Sequence, residues 1–155
     1  MVVNDFVNPP GQEVRKMMQL APVETLQRIF AASKTIAVVG LSPKTNRPSN
    51  QVALYMQKAG YRIIPVNPGQ TGILGETCYP DLQSIPEPVD VVNIFRRPEL
   101  VKPIVRDAVA IGAKVVWMQQ GIVNEEAAKI AEQAGLTVIM DRCFKVDHMQ
   151  FAKKS

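Results

Sequence analysis

Thr35-Ile36-Ala37-Val38-Val39-Gly40-Leu41-Ser42-Pro43-Lys44-Thr45-Asn46-Arg47-Pro48-Ser49 runs from an apolar strand through a polar, cationic turn into the start of a helix. A strand, a turn and a helix in that order aim unpaired backbone N–H groups and the positive end of a helix dipole at one point, which suits a phosphate group. The stretch therefore speaks of a ligand before it speaks of a reaction.

Outward from it, the chain alternates apolar runs of strand length with amphipathic helical segments. Strands are expected at 35–39, 61–66, 89–95, 113–118 and 136–140, each rich in Val or Ile and continuously apolar, as strands covered on both faces are. A helix over 23–32 carries Leu26, Ile29 and Phe30 at helical spacing. Ser49 can N-cap a helix reaching Ala59, with Val52, Met56 and Ala59 inward and Gly60 ending it. Over 99–111 a third helix sets Leu100, Val101, Ile104, Val105 and Ala108 on one side, and Pro103 makes its first turn irregular or marks its regular start. Asn124 can cap a fourth, whose packing stripe is Ala127, Ile130, Ala131 and Ala134 and whose stop is Gly135. Right-handed crossovers turn this order into an α/β fold, a single Rossmann-like, doubly wound, mostly parallel sheet with helices on both faces.

In such a sheet the ligand crevice lies outside the carboxyl ends of the strands. The residues that follow the strands are Gly40, Ser42, Lys44 and Arg47, then Asn67-Pro68-Gly69, then Arg96-Arg97-Pro98, then Gln119-Gln120-Gly121. These turns are cationic and amide-rich and hold no carboxylate, which fits a ligand with several phosphates, since guanidinium pairs with phosphate bidentately and ammonium acts as a point charge. Two arginines at one strand end, Arg96 and Arg97, favour a site over mere surface neutralisation. A nicotinamide dinucleotide fits poorly: of the three glycines in G-x-G-x-x-G the turn Gly40-Leu41-Ser42-Pro43-Lys44-Thr45 supplies the first alone, and Asn67-Pro68 stands where an NAD site needs an acid. No G-x-x-x-x-G-K-[ST] occurs, so a P-loop is excluded.

The turn Gly40-Leu41-Ser42-Pro43 with Arg47-Pro48-Ser49, the strand end Ile64-Pro65-Val66-Asn67-Pro68, the segment 89–98 ending Phe95-Arg96-Arg97-Pro98, and 112–121 with Met118-Gln119-Gln120-Gly121 keep one order and spacing. Together they resemble the stand-alone CoA-binding proteins, which are themselves similar to the N-terminal domain of the succinyl-CoA synthetase alpha chain. The resemblance covers about residues 25–145, and it implies coenzyme A, or an acyl-CoA, held across the strand ends. Carried over by position, it sets Gly40, Leu41 and Ser42 against the diphosphate, with Lys44 and Arg47 as its charge partners and Pro48 and Ser49 opening the helix. Val66, Asn67 and Pro68 would meet the adenosine end, with Pro65 and Pro68 stiffening that wall. Phe95, Arg96 and Arg97 would run along the ligand, and Met118, Gln119 and Gln120 would bound the pantetheine side.

The related synthetases pass phosphate through a histidine in a second domain, and no such domain is read here. The single histidine, His148 in Val146-Asp147-His148-Met149, reads as solvated or locally paired rather than catalytic. With no general acid–base pair in the crevice turns, a binding, sensing or carrier module is the expected function. The alternatives are a subunit or remnant of an acyl-CoA ligase or other thioester enzyme, completed by a partner chain, and an NAD(P)-binding oxidoreductase. Trp117 reads as core or interface rather than a platform for adenine. Cys143, after the last strand, is either a small buried side chain or a thiol able to form a mixed disulfide with the ligand. Cys78 reads as buried, and two cysteines so far apart make no zinc site.

Composition sets the frame. The 155 residues, 46% hydrophobic, are ordinary for one globular domain, and no apolar run approaches the length that spans a bilayer. A formal charge of +4 is spread along the chain rather than gathered into a stripe, so neither nucleic acid nor membrane is an expected partner. No signal-peptide pattern opens the sequence, which predicts a cytoplasmic protein with reduced thiols. The domain organisation reads as an N-terminal extension over 1–22 containing Asn8-Pro9-Pro10-Gly11, a CoA-binding domain over 23–145 and a tail over 146–155. Apolar surface on 23–32 or near Trp117 leaves room for a homodimer or a partner enzyme chain.

Overall fold

The computed structural model describes residues 22–153. The element order is α1 (Val23–Ala32), β1 (Thr35–Val39), α2 (Pro48–Lys58), β2 (Arg62–Val66), β3 (Gly72–Ile73), β4 (Glu76–Thr77), β5 (Val91–Ile94), α3 (Val101–Ala110), β6 (Val115–Met118), α4 (Glu125–Gln133), β7 (Thr137–Ile139) and α5 (Phe144–Phe151). Five strands form one sheet in the order β2-β1-β5-β6-β7, with every neighbouring pair parallel. The expected doubly wound α/β architecture is thus the observed one. None of the described helices is long and apolar enough to cross a membrane.

Strand residues alternate between two cores. Ile36, Val38, Val91 and Trp117 pack with Leu26 and Phe30 of α1, Met56 of α2 and Phe144 of α5. Ala37, Val92, Val116 and Met118 pack on the opposite face with Val101 and Val105 of α3 and Ala127 and Ala131 of α4. Because both faces are covered, polar alternation has no place in these strands, which is why the sequence reads as unbroken apolar runs. The chain leaves β1 toward β2 on one side and returns to β5 on the other. That reversal makes the carboxyl ends of β1 and β5 the topological switch point, where open α/β sheets bind ligands.

Several local expectations change. The cap of α2 is Arg47 and not Ser49: Pro48 takes the first helical position, where its missing N–H costs nothing, and no side chain caps the turn. Ser49, buried inside that first turn, accepts a hydrogen bond from Ser42 N at 3.0 Å instead. Ala59 and Ala134 follow their helices as exposed C-cap residues rather than packing, with Ala53 and Ala128 taking the buried positions. Asn124 does cap α4, accepting from Ala127 N at 3.0 Å. The irregular start expected near Pro103 is a 3₁₀ turn at Pro98–Leu100 running into α3.

Residues 146–151, read as tail, belong to α5. Its first residue, Phe144, is fully buried with its ring 4.8 Å from that of Trp117, and Gln27 Nε2 donates to Phe151 O at 3.0 Å. Burying a phenyl ring of this kind contributes roughly 1.5–3 kcal/mol, enough to hold a two-turn helix that its own propensity would not. The β3–β4 hairpin, whose turn places Leu74 and Gly75 at φ 55° and 76°, was not foreseen, since two-residue strands are too short to show a period. The segment Asn8-Pro9-Pro10-Gly11 and the rest of 1–21 lie outside the described residues.

Candidate functional site

Three turns meet at the carboxyl ends of β2, β1 and β5, and Gly40 is their hinge. Its N–H donates to Val66 O at 2.9 Å and its φ is 85°, a conformation that costs an L side chain about 1–2 kcal/mol. A Cβ at this position would collide with the Phe95 carbonyl oxygen and lie 2.9 Å from Arg96 Cδ. Glycine is required by backbone shape and by space together, and it leaves the surface above it open.

From Gly40 the chain turns through a loop whose polar atoms brace one another. Leu41 is fully buried and anchors it. Asn67 Nδ2 donates to Leu41 O at 2.9 Å while Asn67 Oδ1 accepts from Gly69 N at 2.9 Å, so one amide ties the β1 turn to the β2 turn. Asn50 Nδ2 donates to Ser42 O at 2.9 Å, and Ser42 Oγ accepts from Lys44 N at 3.1 Å. The first backbone bond closing α2 runs from Gln51 N to Arg47 O at 3.1 Å, so the amides of Ser49 and Asn50 precede the helix's own ladder. The uncapped N-terminus of α2 therefore faces this loop.

Two cavities open on either side of Gly40. One, about 370 Å³, is lined by Gly40, Ser42, Lys44, Arg47, Pro48, Ser49 and Phe95. The other, about 240 Å³, is bounded by Val39, Gly40, Val66, Pro68, Arg96 and, from the far wall, Leu82, Leu100 and Ile104. The first is polar and cationic; the second is an apolar slot. Lys44, Arg47 and Arg96 make no ion pair with any described residue, whereas Arg97 Nε lies 3.4 Å from Glu99 Oε1 and both side chains are exposed. Lys44 and Arg47 thus stand beside the uncapped N-terminus of α2 and Arg96 at the neighbouring slot, an arrangement whose electrostatics favour an anion.

Of the residues expected at the site, Gly40, Ser42, Lys44, Arg47, Pro48, Ser49 and Phe95 come together at one cavity, and Val66, Pro68 and Arg96 at the next. Leu41 and Asn67 support the loops from within. Met118 and Gln119 depart from expectation. Met118 is fully buried in the core on the α3 and α4 face, and Gln119 Oε1 accepts from both Asn93 Nδ2 at 3.2 Å and Phe144 N at 3.0 Å. Their side chains hold the fold together and form no crevice wall; Gln120 is exposed beside them. The slot also carries Asp81 and Asp107, so the region is not free of acid. Both are engaged: Asp81 Oδ1 accepts from Ser84 N at 2.8 Å, and Asp107 Oδ1 from Gln83 Nε2 at 3.1 Å.

Pro80, Asp81, Leu82 and Asn50 escaped the sequence reading. The Asp-x-x-Ser spacing of Asp81 and Ser84 marks a cap and could have drawn attention to that wall. Trp117 is buried, its Nε1 donating to Arg142 O at 2.8 Å, which leaves no face for a nucleobase. Cys143 is the half-buried N-cap residue of α5, and Cys78 is buried with Sγ 3.5 Å from Asn67 O. Burial pushes the Cys78 thiol up, against a smaller lowering from the Asn67 backbone. His148 lies away from the crevice, with Nδ1 2.8 Å from the Tyr55 hydroxyl, a locally paired imidazole.

Comparison with known proteins agrees with this fold. The CoA binding domain family matches residues 34–149. The chain is 45% identical over 131 residues to the uncharacterized protein YneT of Bacillus subtilis (strain 168), a match covering 84% of this chain and 97% of that one. It is 26% identical over 137 residues to acetate–CoA ligase [ADP-forming] I of Archaeoglobus fulgidus, covering 82% of this chain but 20% of the ligase. A hypothetical protein of Pyrococcus horikoshii OT3 superposes with a TM-score of 0.82 at 40% identity, over 84% of this chain and 92% of that one.

Proposed function

The chain belongs to the CoA-binding domain family, and from that premise we propose that it holds coenzyme A or an acyl-CoA across the carboxyl ends of β1 and β5, as a binding, sensing or carrier module. The observation that carries this reading is the meeting of two unlike cavities at Gly40. The cationic one, with Lys44, Arg47 and the open amides of α2, suits a diphosphate; the apolar slot, with Val66, Pro68 and Leu82 around it, suits an adenine, and Arg96 stands between them for a sugar phosphate. Coenzyme A presents these chemistries in one molecule. The crevice loops offer hydrogen-bond donors for an anion and apolar walls, and the two acids of the slot, Asp81 and Asp107, are engaged with Ser84 and Gln83, so on this reading the chain's residues bind and orient the ligand while its thiol end keeps its own reactivity.

A second reading has one support: similarity to a segment amounting to 20% of an acetate–CoA ligase. On that reading this chain supplies the CoA-holding part of a thioester enzyme whose remaining groups come from another polypeptide. Thermal-shift and calorimetric titration of the full chain separate the possibilities. A native-state ligand at 100 times its Kd adds about 2.7 kcal/mol of stability. Coenzyme A is expected to stabilise more than dephospho-coenzyme A, NAD or NADP. A larger shift with NADP would transfer the site to a dinucleotide, and turnover of acetyl-CoA by the isolated chain would make it an enzyme in its own right.

A further inference from the structure

A larger cavity lies at the opposite pole, where β1 and β2 begin. Its volume is about 680 Å³, within the range of roughly 300–1,000 Å³ typical of small-molecule sites. Residues that immediately precede β1 and β2, Lys34 and Tyr61, line it, so it stands a strand's length, about 16 Å, from the crevice. Phe30 from α1, Tyr55 from α2 and His148 from α5 complete its aromatic wall, and Lys153 closes the rim.

The wall is built around the imidazole. The rings of Phe30, Tyr55 and Tyr61 stand edge-on to His148 with centroids 5.0, 5.5 and 5.7 Å away. Most of the polar atoms here are already matched: Tyr61 Oη donates to Phe30 O at 2.7 Å and Tyr55 Oη meets His148 Nδ1 at 2.8 Å. When Tyr55 donates to Nδ1, the imidazole Nε2–H is the remaining ring donor. Among the described residues no carboxylate lines the cavity. The acid near Lys34, Asp90, is committed elsewhere: its Oδ2 accepts from the backbone of Lys34 at 2.8 Å and of Thr35 at 3.1 Å. Lys34, Lys153 and, over the Tyr55 ring at 5.9 Å, Lys145 leave the mouth positively charged.

We propose that this cavity is a second binding site, separate from the strand-end crevice, that takes an organic anion with a planar aromatic body, the rings packing against the Phe30, Tyr55 and Tyr61 wall and the carboxylate meeting His148 Nε2–H and the lysine rim. Flat rings offer edge-to-face contacts that a branched aliphatic body cannot use, and the two lysines with a single ring donor match a monoanion better than a polyphosphate. The site depends on nothing in the crevice, so it stands or falls apart from the coenzyme A reading.

The test uses the full-length chain and 2-naphthoate as probe. The protein has one histidine and one tryptophan, so the NMR signals of each ring type are unambiguously assigned. Trp117 lies 6.0 Å from Phe30, behind the wall, and reports on it. 2-Naphthoate is expected to bind with a Kd of about 1 mM, shifting the His148 ring signals saturably, with coenzyme A at saturation leaving that Kd unchanged. The double variant Lys34→Gln/Lys153→Gln, confined to the rim, weakens binding about fivefold, and Tyr55→Phe, which keeps the ring, weakens it by a similar factor; neither alters the response to coenzyme A. The proposal is overturned by the absence of any saturable shift up to about 5 mM, by equal binding of uncharged 2-naphthalenemethanol, or by displacement of the probe by coenzyme A.

Discussion

The two poles of one sheet solve opposite problems. At the carboxyl ends of β1, β2 and β5 the chain leaves amides and cations open: a glycine at φ 85°, an uncapped α2, and Lys44, Arg47 and Arg96 without ion partners among the described residues. At the amino ends the equivalent backbone is tied down, with Asp90 accepting from Lys34 N and Thr35 N and with Tyr61 hydrogen-bonded to the end of α1. Aromatic rings from three helices then wedge the amino pole together. On the proposed reading, donors left unmatched at the carboxyl end, the binding end, serve coenzyme A, while at the amino end, the anchoring end, most donors are matched internally for stability and only His148 Nε2–H with its lysine rim is left for the second ligand.

The comparison breaks first if the anchoring end proves dispensable. Phe30→Ala removes a 7%-exposed ring that touches Trp117, Phe144 and His148. The expected cost is about 3–5 kcal/mol, or roughly 10 °C in the thermal midpoint, with coenzyme A affinity of the folded protein preserved. Gly40→Ala is the counterpart at the binding end. Its destabilisation is expected to be smaller, near the 1–2 kcal/mol of a left-handed side chain plus some strain against Phe95 O. Its effect on coenzyme A, measured by calorimetry, is expected to exceed about tenfold, because the turn must move to clear the added carbon. If Phe30→Ala weakened coenzyme A binding as much as Gly40→Ala does, the two ends would be one unit.

Charge sharpens the same division. Arg47→Ala and Arg96→Ala are each expected to raise the coenzyme A Kd about tenfold, an effect that shrinks at high ionic strength, with little change in thermal midpoint. Arg97→Ala is expected to change it less than about threefold, since Arg97 is exposed, already faces Glu99 and lines neither cavity. A larger loss at Arg97 than at Arg96 would reverse which arginine meets the ligand.

The binding end was legible where its chemistry is local. Gly40, Lys44, Arg47 and Arg96 follow their strands directly, and the strand-end rule is enough to collect them. The rule fails where side-chain direction decides. Met118 and Gln119 occupy the right place along β6 but point into the two cores, Gln119 to tie Asn93 to the start of α5. Ser49 was misread because a serine before an apolar run mimics a cap, while Pro48 beside it had already claimed the first helical turn. The far wall of the slot, from Pro80 to Leu82, arrives through a short hairpin with no periodic pattern. The anchoring end was least visible: α5 is eight residues long with polar and apolar residues intermixed, and only tertiary contact makes it a helix. His148 was read as solvated or locally paired, and its place among the rings of Phe30, Tyr55, Tyr61 and Phe144 is a matter of spatial neighbours that spacing cannot reveal.

The smallest expected effect lies at that histidine. Burial among Phe30, Tyr55, Tyr61 and Phe144 holds the His148 imidazolium below its usual value of 6.5, since the rings strip water from the charged form. Lys34 and Lys153 at the cavity and Lys145 over Tyr55 are cations that offset none of that penalty, and the adjacent Asp147 is taken up by Arg142. As pH falls through 6.5 the unfolded chain takes up this proton before the folded protein does. Stability is therefore full above that pH, declines below it, and levels once the folded imidazole also protonates. His148→Gln is expected to flatten this part of the stability profile between pH 7.5 and 5 in denaturant unfolding, at roughly the same [denaturant] dependence. Coenzyme A affinity over the same interval is expected to follow the ligand's own phosphate titration in both proteins. A variant whose stability kept the full acid-side decline would move the titrating group elsewhere, and one whose coenzyme A affinity lost its pH dependence would join the two poles that the sheet otherwise holds apart.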